Sequence, residues 1–243
     1  MSGALDFSGC AVLVTGGSNG IGLAIASSFL EAGASVSITG TRPAAADYET
    51  DLSAFAYRQA LMEDSSSVES LIAATDKLDV LVNTAGTAVE PPRALTPEGF
   101  ETNIAINLNA VFRLCQGLYV HLKSRPGSIV NIASMYSFLG SPGVPGYGAS
   151  KSAIVQLTKT LAALYALDGV RVNAIAPGWI ETKLTAGSQA DEQSNRSIVG
   201  RTPMGRWGKP EDIAGTALYL ASDDLAGFVT GVTIPVDGGY STT

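Results

Sequence analysis

The chain has 243 residues, of which 46% are hydrophobic and 15% are charged, and its formal net charge is −7. This composition excludes a disordered chain or a coiled coil, and the length suits one large α/β domain with a substantial core. The negative charge disfavours nucleic acid as a partner. No apolar run approaches a membrane span, and the first six residues lack the basic region of a secretory signal, so we expect a cytoplasmic protein that binds no membrane.

Short β-rich runs alternate with stretches of helical spacing from one end of the chain to the other. This alternation predicts an α/β fold, a doubly wound sheet of about seven parallel strands with helices on both faces. No linker or repeat divides the chain, so we expect a single domain over residues 1–243. The predicted strands are Cys10–Thr15, Ser35–Thr39, Phe55–Ala60, Asp79–Val82, Ser128–Ile132, Val170–Ile175 and Val232–Pro235. The predicted helices are Ile21–Ala32, Ser67–Thr75, Pro97–Lys123, Tyr147–Leu167 and Pro210–Ser222.

A glycine-rich turn, Thr15–Gly22 with the sequence TGGSNGIG, joins the first predicted strand to the first predicted helix. Gly16 permits a tight turn, Gly20 permits close approach of a pyrophosphate, and Gly22 permits close packing of helix and strand. The helix N-terminus offers N–H groups to phosphates. The spacing differs from the G-x-G-x-x-G fingerprint. The turn therefore predicts a dinucleotide site, with a plain glycine-rich turn as the alternative.

Tyr147 and Lys151 are four residues apart in the fourth predicted helix, and Ser134 lies thirteen residues before Tyr147. Residues at this spacing share a helix face, where an ammonium can lower the pKa of a phenol. Such a phenol can act as a general acid or base for alcohol and ketone chemistry. The alternative is an ordinary surface pair. With one histidine and two separated cysteines, the chain has no material for a metal site or a Ser-His-Asp triad.

These segments, taken in order, resemble the short-chain dehydrogenase/reductase family in its roughly 250-residue branch, and the resemblance covers essentially the whole chain. It implies a Rossmann-type fold and hydride exchange with a nicotinamide cofactor. The matching segments are Thr15–Gly22, Asn83-Thr84-Ala85-Gly86, Ile106-Asn107-Leu108-Asn109, Ser134 with Tyr147 and Lys151, Ala176-Pro177-Gly178 and Val236-Asp237-Gly238-Gly239.

The resemblance implies a role for each catalytic residue. Tyr147 exchanges a proton with the substrate oxygen, and Ser134 donates a hydrogen bond to that oxygen. Lys151 lowers the pKa of Tyr147 and binds the nicotinamide ribose. Asn107 holds a water that relays protons, or else satisfies neighbouring backbone. The implied cofactor contacts are Gly16, Ser18, Asn19, Gly20, Ile21, Thr41, Arg42, Met62, Asn83, Ala85, Gly86, Tyr147, Lys151, Pro177, Gly178, Ile180 and Thr182.

Two departures from the family pattern concern the adenosine end of the cofactor. Leu61 stands where many members carry an Asp that contacts adenine, so that contact must come from backbone or a neighbour. Gly40 ends the second predicted strand, where NAD-preferring members present a carboxylate to the ribose. The following Thr41 and Arg42 could receive a 2′-phosphate. We therefore expect NADP(H), with NAD(H) as the alternative.

Apolar and aromatic residues flank the catalytic positions, and we assign Ser134, Tyr136, Trp179 and Leu184 to the substrate. They predict a neutral, largely apolar secondary alcohol or ketone. The segment 177–209 follows the sixth predicted strand, where open α/β sheets bind ligands, and it predicts a substrate lid. Two other functions share parts of this pattern: a nucleotide-sugar epimerase or dehydratase with bound NAD, and a non-catalytic protein of the same fold.

The predicted helix Pro97–Lys123 carries more apolar surface than one sheet face requires, with Val120 outside its broad apolar stripe. Surplus apolar surface suggests a partner, and the family resemblance points the same way. We therefore expect a homo-oligomer, a tetramer with a dimer as the alternative. The stripe consists of Val111, Phe112, Leu114, Cys115, Leu118, Tyr119 and Leu122.

Overall fold

A computed structural model describes residues 5–124 and 126–243. Its seven strands form one sheet in the order β3-β2-β1-β4-β5-β6-β7, and every neighbouring pair is parallel. The predicted fold class is therefore confirmed. The strands are β1 Ala11–Thr15, β2 Ser35–Gly40, β3 Ala56–Gln59, β4 Val80–Asn83, β5 Ser128–Ile132, β6 Arg171–Pro177 and β7 Thr233–Val236.

The helices cover both faces of the sheet, as the crossover connections of parallel strands require. Two hydrophobic clusters follow from this arrangement, one on each side of the sheet. The helices are α1 Gly20–Glu31, α2 Ser65–Ala73, α3 Pro97–Ile104, α4 Ala110–Leu122, α5 Pro145–Tyr165, α6 Ala186–Ala190, α7 Glu192–Arg201, α8 Pro210–Ala221 and α9 Asp223–Ala226.

The burial of the strands explains why their sequences differ. Every residue of β4, β5 and β6 is buried, because helices cover both faces of the central strands. The edge strands β3 and β7 are largely exposed or half-buried. The predicted strand bounds are wrong by one or two residues at six of the seven strands, which is the usual uncertainty at the ends of an element.

The predicted single helix Pro97–Lys123 is wrong in detail, because a π-helical turn at Ala105–Asn109 separates α3 from α4. The Ala110 N–H bonds to the Ala105 carbonyl, five residues earlier. Such insertions are frequent at functional sites. Here the turn carries Asn107 into the interior, where its side chain is fully buried.

Candidate active site

A cleft of about 450 Å³ opens along the carboxyl ends of the strands, where open α/β sheets bind their ligands. It runs from the glycine-rich turn to the Tyr147 hydroxyl region of α5 and brings most of the predicted site residues together. Those that line it are Gly16, Ser18, Asn19, Gly20, Ile21, Thr41, Met62, Ala85, Gly86, Ser134, Tyr147, Lys151, Pro177, Gly178, Thr182 and Leu184.

The glycine-rich turn has the geometry that its sequence predicts. Gly16 and Gly20 both have positive φ, at 66° and 52°, a region that side chains disfavour. A Cβ at Gly22 would lie 2.3 Å from the Gly16 carbonyl oxygen. The N-cap of α1, Asn19, makes no side-chain cap hydrogen bond. Asn19 therefore leaves the first N–H groups of α1 uncapped, at a place where α1 borders the cleft. An anion-binding helix N-terminus requires such free N–H groups.

Tyr147 and Ser134 meet at the cleft. Ser134 begins a short 3₁₀ turn after β5 and accepts a hydrogen bond from the Tyr136 N–H at 3.2 Å. Burial raises the pKa of Tyr147, although a hydrogen bond with the Ser134 side chain acts in the opposite direction. The turn is fastened to α5 because Ser137 donates to the Lys151 carbonyl at 2.7 Å. This bond ties the turn that begins at Ser134 to the helix that carries Tyr147.

The Lys151 ammonium is buried, with 5% of the residue exposed, and donates to the Ile132 carbonyl at 2.6 Å. Burial lowers its pKa to about 8. Its Nζ lies 5.8 Å from the centre of the Tyr147 ring. Burial is the largest influence on the pKa of Tyr147 and raises it, and the lowering of that pKa by Lys151 stays a prediction.

Asn107 is clamped onto the segment that follows β4. Its Oδ1 accepts from the Thr87 N–H at 2.8 Å, and its Nδ2 donates to the Thr87 carbonyl at 2.8 Å and to Ser150 Oγ at 3.0 Å. Ser150 in turn donates to the Tyr147 carbonyl at 2.7 Å. The side chain therefore bonds neighbouring backbone and connects the π-helical turn to the base of Tyr147, and its role in holding a water stays a prediction.

Three of the predicted cofactor contacts lie off the cleft wall. Asn83 is buried in the sheet, where its Nδ2 donates to Asn131 Oδ1 at 2.9 Å. Ile180 is buried and packs into the core beside β6. Arg42 is exposed, with its guanidinium 5.0 Å from the centre of the Tyr48 ring. Asn83 is held by a buried hydrogen bond between side-chain amides, Ile180 by core packing and Arg42 by an aromatic ring. A sequence motif does not reveal such tertiary contacts.

Two of the residues predicted to contact substrate, Tyr136 and Trp179, belong to a row of aromatic rings that begins at Tyr147. Tyr136 packs edge-on against Tyr147, with ring centres 6.3 Å apart, and against Trp179 at 6.2 Å. Trp179 packs edge-on against Trp207 at 5.6 Å. Leu184 is 52% exposed on the cleft wall. Edge-to-face contacts of this kind hold large rings in fixed positions, so the predicted residues Tyr136 and Trp179 belong to one rigid aromatic wall.

The sequence interpretation missed Arg201, at the end of α7. Its guanidinium lies 4.3 Å from the centre of the Tyr240 ring and donates to the Thr243 carbonyl at 3.0 Å. Its charge acts on Tyr136, where it opposes the rise in pKa that burial causes. The sequence pattern did not predict α7, so it contained no indication that Arg201 lies near the site. Another arginine of the same segment, Arg206, is paired with Asp212.

Two other properties concern only residues 5–124 and 126–243. None of the helices there has the length and apolarity that a membrane crossing requires. Within the same ranges, no three His, Cys, Asp or Glu side chains are grouped so that they could hold a metal ion.

A family model described as enoyl-(acyl carrier protein) reductase matches residues 16–241 of the chain. This match covers Gly16–Gly22 of the glycine-rich turn, the residues Ser134, Tyr147 and Lys151, and the C-terminal segment Val236–Gly239. The chain belongs to the short-chain dehydrogenase/reductase family. The predicted family is thereby confirmed, and with it the predicted reaction class, an NAD(P)-dependent oxidoreductase that interconverts a secondary alcohol and a ketone.

Relatives of this family span almost the full chain. A 2-dehydro-3-deoxy-D-gluconate 5-dehydrogenase of Pseudoalteromonas atlantica is 39% identical, with 96% of each chain covered. A 3-oxoacyl-(acyl-carrier-protein) reductase of Chlamydia muridarum is 38% identical, covering 95% of this chain and 97% of its own. The crystal structure of a gluconate 5-dehydrogenase from Burkholderia cenocepacia J2315, in complex with NADP and tartrate, has a TM-score of 0.88 at 32% identity, with 98% of each chain covered.

Proposed function

We propose that this enzyme reduces a ketone, or oxidises the corresponding secondary alcohol, with Tyr147 as the proton donor and acceptor. The observation that carries the proposal is the contact between the Ser134 and Tyr147 side chains on the wall of one cleft, next to the buried Lys151 ammonium. Bound nicotinamide supplies or accepts the hydride. Tyr147 gives or takes the proton, and Ser134 holds the substrate oxygen where charge develops.

The cofactor we propose is NADP(H), which is the cofactor in the B. cenocepacia structure. The residues fit a dinucleotide, because the uncapped start of α1 and the glycine-rich turn face the cleft. Gly40 ends β2 without a carboxylate that would repel a 2′-phosphate. Ser18 and Thr41 line the cleft beside Gly40 and would receive the phosphate, and Lys151 would bind the nicotinamide ribose.

Substitution of Tyr147 by Phe tests the proton-transfer role. The variant retains the packing of the ring and loses only the hydroxyl, so kcat should fall about 10²–10⁴-fold while the affinity for NADPH stays near that of the wild type. Tyr165→Phe is the matched control on the same helix, since its hydroxyl is bonded to Gln116 at 2.8 Å. Both are assayed with NADPH and a panel of ketones at the absorbance of the reduced nicotinamide. A Tyr147→Phe rate above about a tenth of the wild type would contradict the assignment.

The same panel distinguishes a reductase from the two other functions that the sequence allowed. A protein that retains the fold without catalysis shows no cofactor consumption with any ketone. An epimerase or dehydratase recycles its NAD and gives no net change in reduced cofactor. The relatives above, whose names are those of a dehydrogenase and a reductase, match this chain over 96% and 97% of their own length. The reductase is therefore the function that we propose.

For the substrate, we propose a neutral, largely apolar ketone or secondary alcohol, as the aromatic wall of Tyr136 and Trp179 favours. A second candidate class, hydroxy and oxo acids, is favoured by Arg201, whose charge reaches Tyr136. The gluconate-type names of two of the relatives agree with this second class. Arg201→Gln distinguishes the two classes. If the acids are substrates, the variant should raise KM about tenfold for ketones that carry a carboxylate, since a charged hydrogen bond contributes about 1.5–3 kcal/mol. If they are not, KM should stay unchanged.

We propose that residues 177–209 act as a lid within a single dinucleotide-binding and catalytic domain, 1–243. The ends of the segment are joined, since the Glu181 N–H donates to the Gly208 carbonyl and the Gly208 N–H to the Trp179 carbonyl, both at 2.9 Å. Between them, α7 is fastened by Ile198, which is buried, and by a bond from Trp207 to Asn195. The end of α7 is also held by Arg201, which donates to Thr243 and lies over the Tyr240 ring. In contrast, α6 has no buried residue, as the mobile part of a lid requires.

We also propose a cytoplasmic homotetramer, with a dimer as the alternative. Five residues of the predicted stripe, Val111, Leu114, Cys115, Leu118 and Leu122, are buried within the chain. Phe112 and Val120 remain 46% and 58% exposed on α4, and Leu164 is 60% exposed on α5. This exposed apolar surface supports association through α4 and α5. Light scattering at micromolar concentration tests the proposal, and a monomer would contradict it.

A further inference from the structure

The space beside Gly40, at the end of β2, is filled by a side chain from eight residues further along. A Cβ on Gly40 would lie 2.2 Å from the Tyr48 hydroxyl oxygen and 3.0 Å from Ser18 Oγ. Gly40 does not have a positive φ, so glycine is required here for space and not for conformation. The Tyr48 hydroxyl therefore stands where a side chain of residue 40 would otherwise be.

Hydrogen-bond donors surround this hydroxyl. The Arg42 N–H donates to it at 3.1 Å, and the Tyr57 hydroxyl lies 3.4 Å away. Burial acts to raise the pKa of Tyr48, but hydrogen bonds with Ser18, Tyr57, the Arg42 backbone and Thr41 outweigh burial and lower it to about 8. Ser18, Gly40 and Thr41 also line the cleft. The donor cluster thus adjoins the adenosine end of the cofactor cleft.

A positive charge is held next to the cluster. The Arg42 guanidinium lies 5.0 Å from the centre of the Tyr48 ring and donates to the Asp47 carbonyl. The Asp47 carboxylate accepts from the Ala44 N–H at 2.9 Å, and its charge acts on Tyr57. Two residues of β3 bind the backbone of this loop. Tyr57 donates to the Arg42 carbonyl, and Gln59 donates to the Thr41 carbonyl at 2.9 Å.

We propose that Tyr48 is a specificity-determining residue for the 2′-phosphate of NADP(H), to which its hydroxyl donates a hydrogen bond alongside Ser18, Thr41 and Arg42. The inference rests on the proposed NADP(H)-dependent function and adds to it a residue outside every family motif. A phosphate monoester needs several donors and a nearby cation. The Tyr48 cluster supplies both at the position where a carboxylate would select NAD(H).

Two ligands that differ only in the 2′-phosphate, adenosine 2′,5′-bisphosphate and adenosine 5′-monophosphate, test the proposal by calorimetry without turnover. Tyr48→Phe should weaken bisphosphate binding about tenfold or more, because the lost bond is to a charged group, and change monophosphate binding less than twofold. Gly40→Ala should give the same pattern, since the added Cβ would displace the Tyr48 hydroxyl. Tyr219→Phe, a phenol on α8, is the control and should change neither affinity.

Several outcomes would overturn the proposal. Equal losses for both ligands in Tyr48→Phe would show that Tyr48 only supports the loop. Tighter bisphosphate binding would show that the hydroxyl merely obstructs the phosphate. Failure of the proposed function looks different: the wild type would bind neither ligand, or Tyr147→Phe would retain its turnover.

The pH dependence gives an independent readout. Below pH 8 the phenol of Tyr48 is neutral and can donate, whereas above pH 8 the phenolate repels the phosphate. The other charged groups that face it are Arg42 and Asp47, and the pKa of Tyr57 is raised, mainly by burial, so Tyr57 stays neutral. The affinity ratio of bisphosphate to monophosphate should fall between pH 7 and pH 9 in the wild type and stay constant in Tyr48→Phe. A constant ratio in the wild type would contradict hydrogen-bond donation by Tyr48.

Discussion

The buried ammonium of Lys151 should reduce the stability of the folded enzyme, and its replacement by Met should reveal by how much. Burial lowers the pKa of Lys151 from an ordinary value of 10.5 to about 8. Since one pKa unit corresponds to about 1.4 kcal/mol, the charged form is disfavoured in the folded state by about 3 kcal/mol. Lys151→Met removes that cost and also removes the bond to the Ile132 carbonyl, whose loss costs about 1–3 kcal/mol.

The two effects can be separated because only one depends on pH. A base whose pKa is lowered on folding destabilises the folded state fully below the lower value, and the penalty disappears as pH rises towards the unfolded value. For values of 8 and 10.5, about 2 kcal/mol of the penalty is recovered between pH 7 and pH 9.5. The loss of the bond to Ile132 contributes equally at both pH values.

Urea denaturation of the wild type and Lys151→Met at pH 7 and pH 9.5 measures the difference. The free energy of unfolding of Lys151→Met, measured relative to that of the wild type, should fall by about 2 kcal/mol between pH 7 and pH 9.5. Lys159→Met, an exposed lysine on the same helix, is the matched control and should show no such change. A difference between wild type and Lys151→Met that stays constant within about 0.5 kcal/mol would refute the reasoning, because Lys151 would then titrate like a solvated lysine.

Three further predictions follow from the glycine-rich turn, the end of α8 and the proposed lid. Gly22→Ala places a Cβ 2.3 Å from the Gly16 carbonyl oxygen. Calorimetry should therefore show that NADPH binds at least about tenfold more weakly, and unchanged affinity would contradict the close packing of the turn. Arg171 is 7% exposed and donates to the last carbonyls of α8, Leu220 and Ala221. Arg171→Met should therefore lower the free energy of unfolding by about 2–3 kcal/mol in urea denaturation and leave kcat unchanged, and a loss below about 0.5 kcal/mol would contradict this. Hydrogen exchange in 181–200 should be faster than in β4–β6 and should slow when NADPH and substrate bind, whereas equal protection in both states would argue against a lid.

The fold and the centre of the site were predictable because their signals are local. Continuous apolar runs mark strands buried on both faces, and β5 was predicted with its bounds. The glycine-rich turn, Ser134, Tyr147 and Lys151 are recognisable by residue type and spacing, and the cleft brings them together. In each case a physical requirement, such as space for a phosphate or a shared helix face, restricts the residue at a fixed position in the sequence.

The remaining site residues depend on tertiary placement that no local pattern encodes. The Arg201 charge acts on Tyr136 because α7 packs beside the aromatic rings, where Asn195 accepts a hydrogen bond from Trp207. This helix is polar and has one buried residue, Ile198. Tyr48 reaches Gly40 across an irregular loop. The π-helical turn that buries Asn107 interrupts an otherwise uniform helical pattern. Since propensity and periodicity average over several residues, they do not detect a single extra residue in a helix or the direction of one side chain in a loop.

The titration behaviour of the site favours reduction of a ketone at neutral pH. Burial raises the pKa of Tyr147 above that of an ordinary tyrosine, so the phenol keeps its proton at neutral pH. A protonated phenol can donate to a developing alkoxide, whereas oxidation of an alcohol requires the phenolate. We therefore expect kcat for ketone reduction with NADPH to stay level between pH 6 and pH 8, and kcat for alcohol oxidation with NADP⁺ to rise with pH over the same range. Steady-state assays in both directions measure this, and an oxidation rate independent of pH would show that Tyr147 loses its proton more readily than its burial implies.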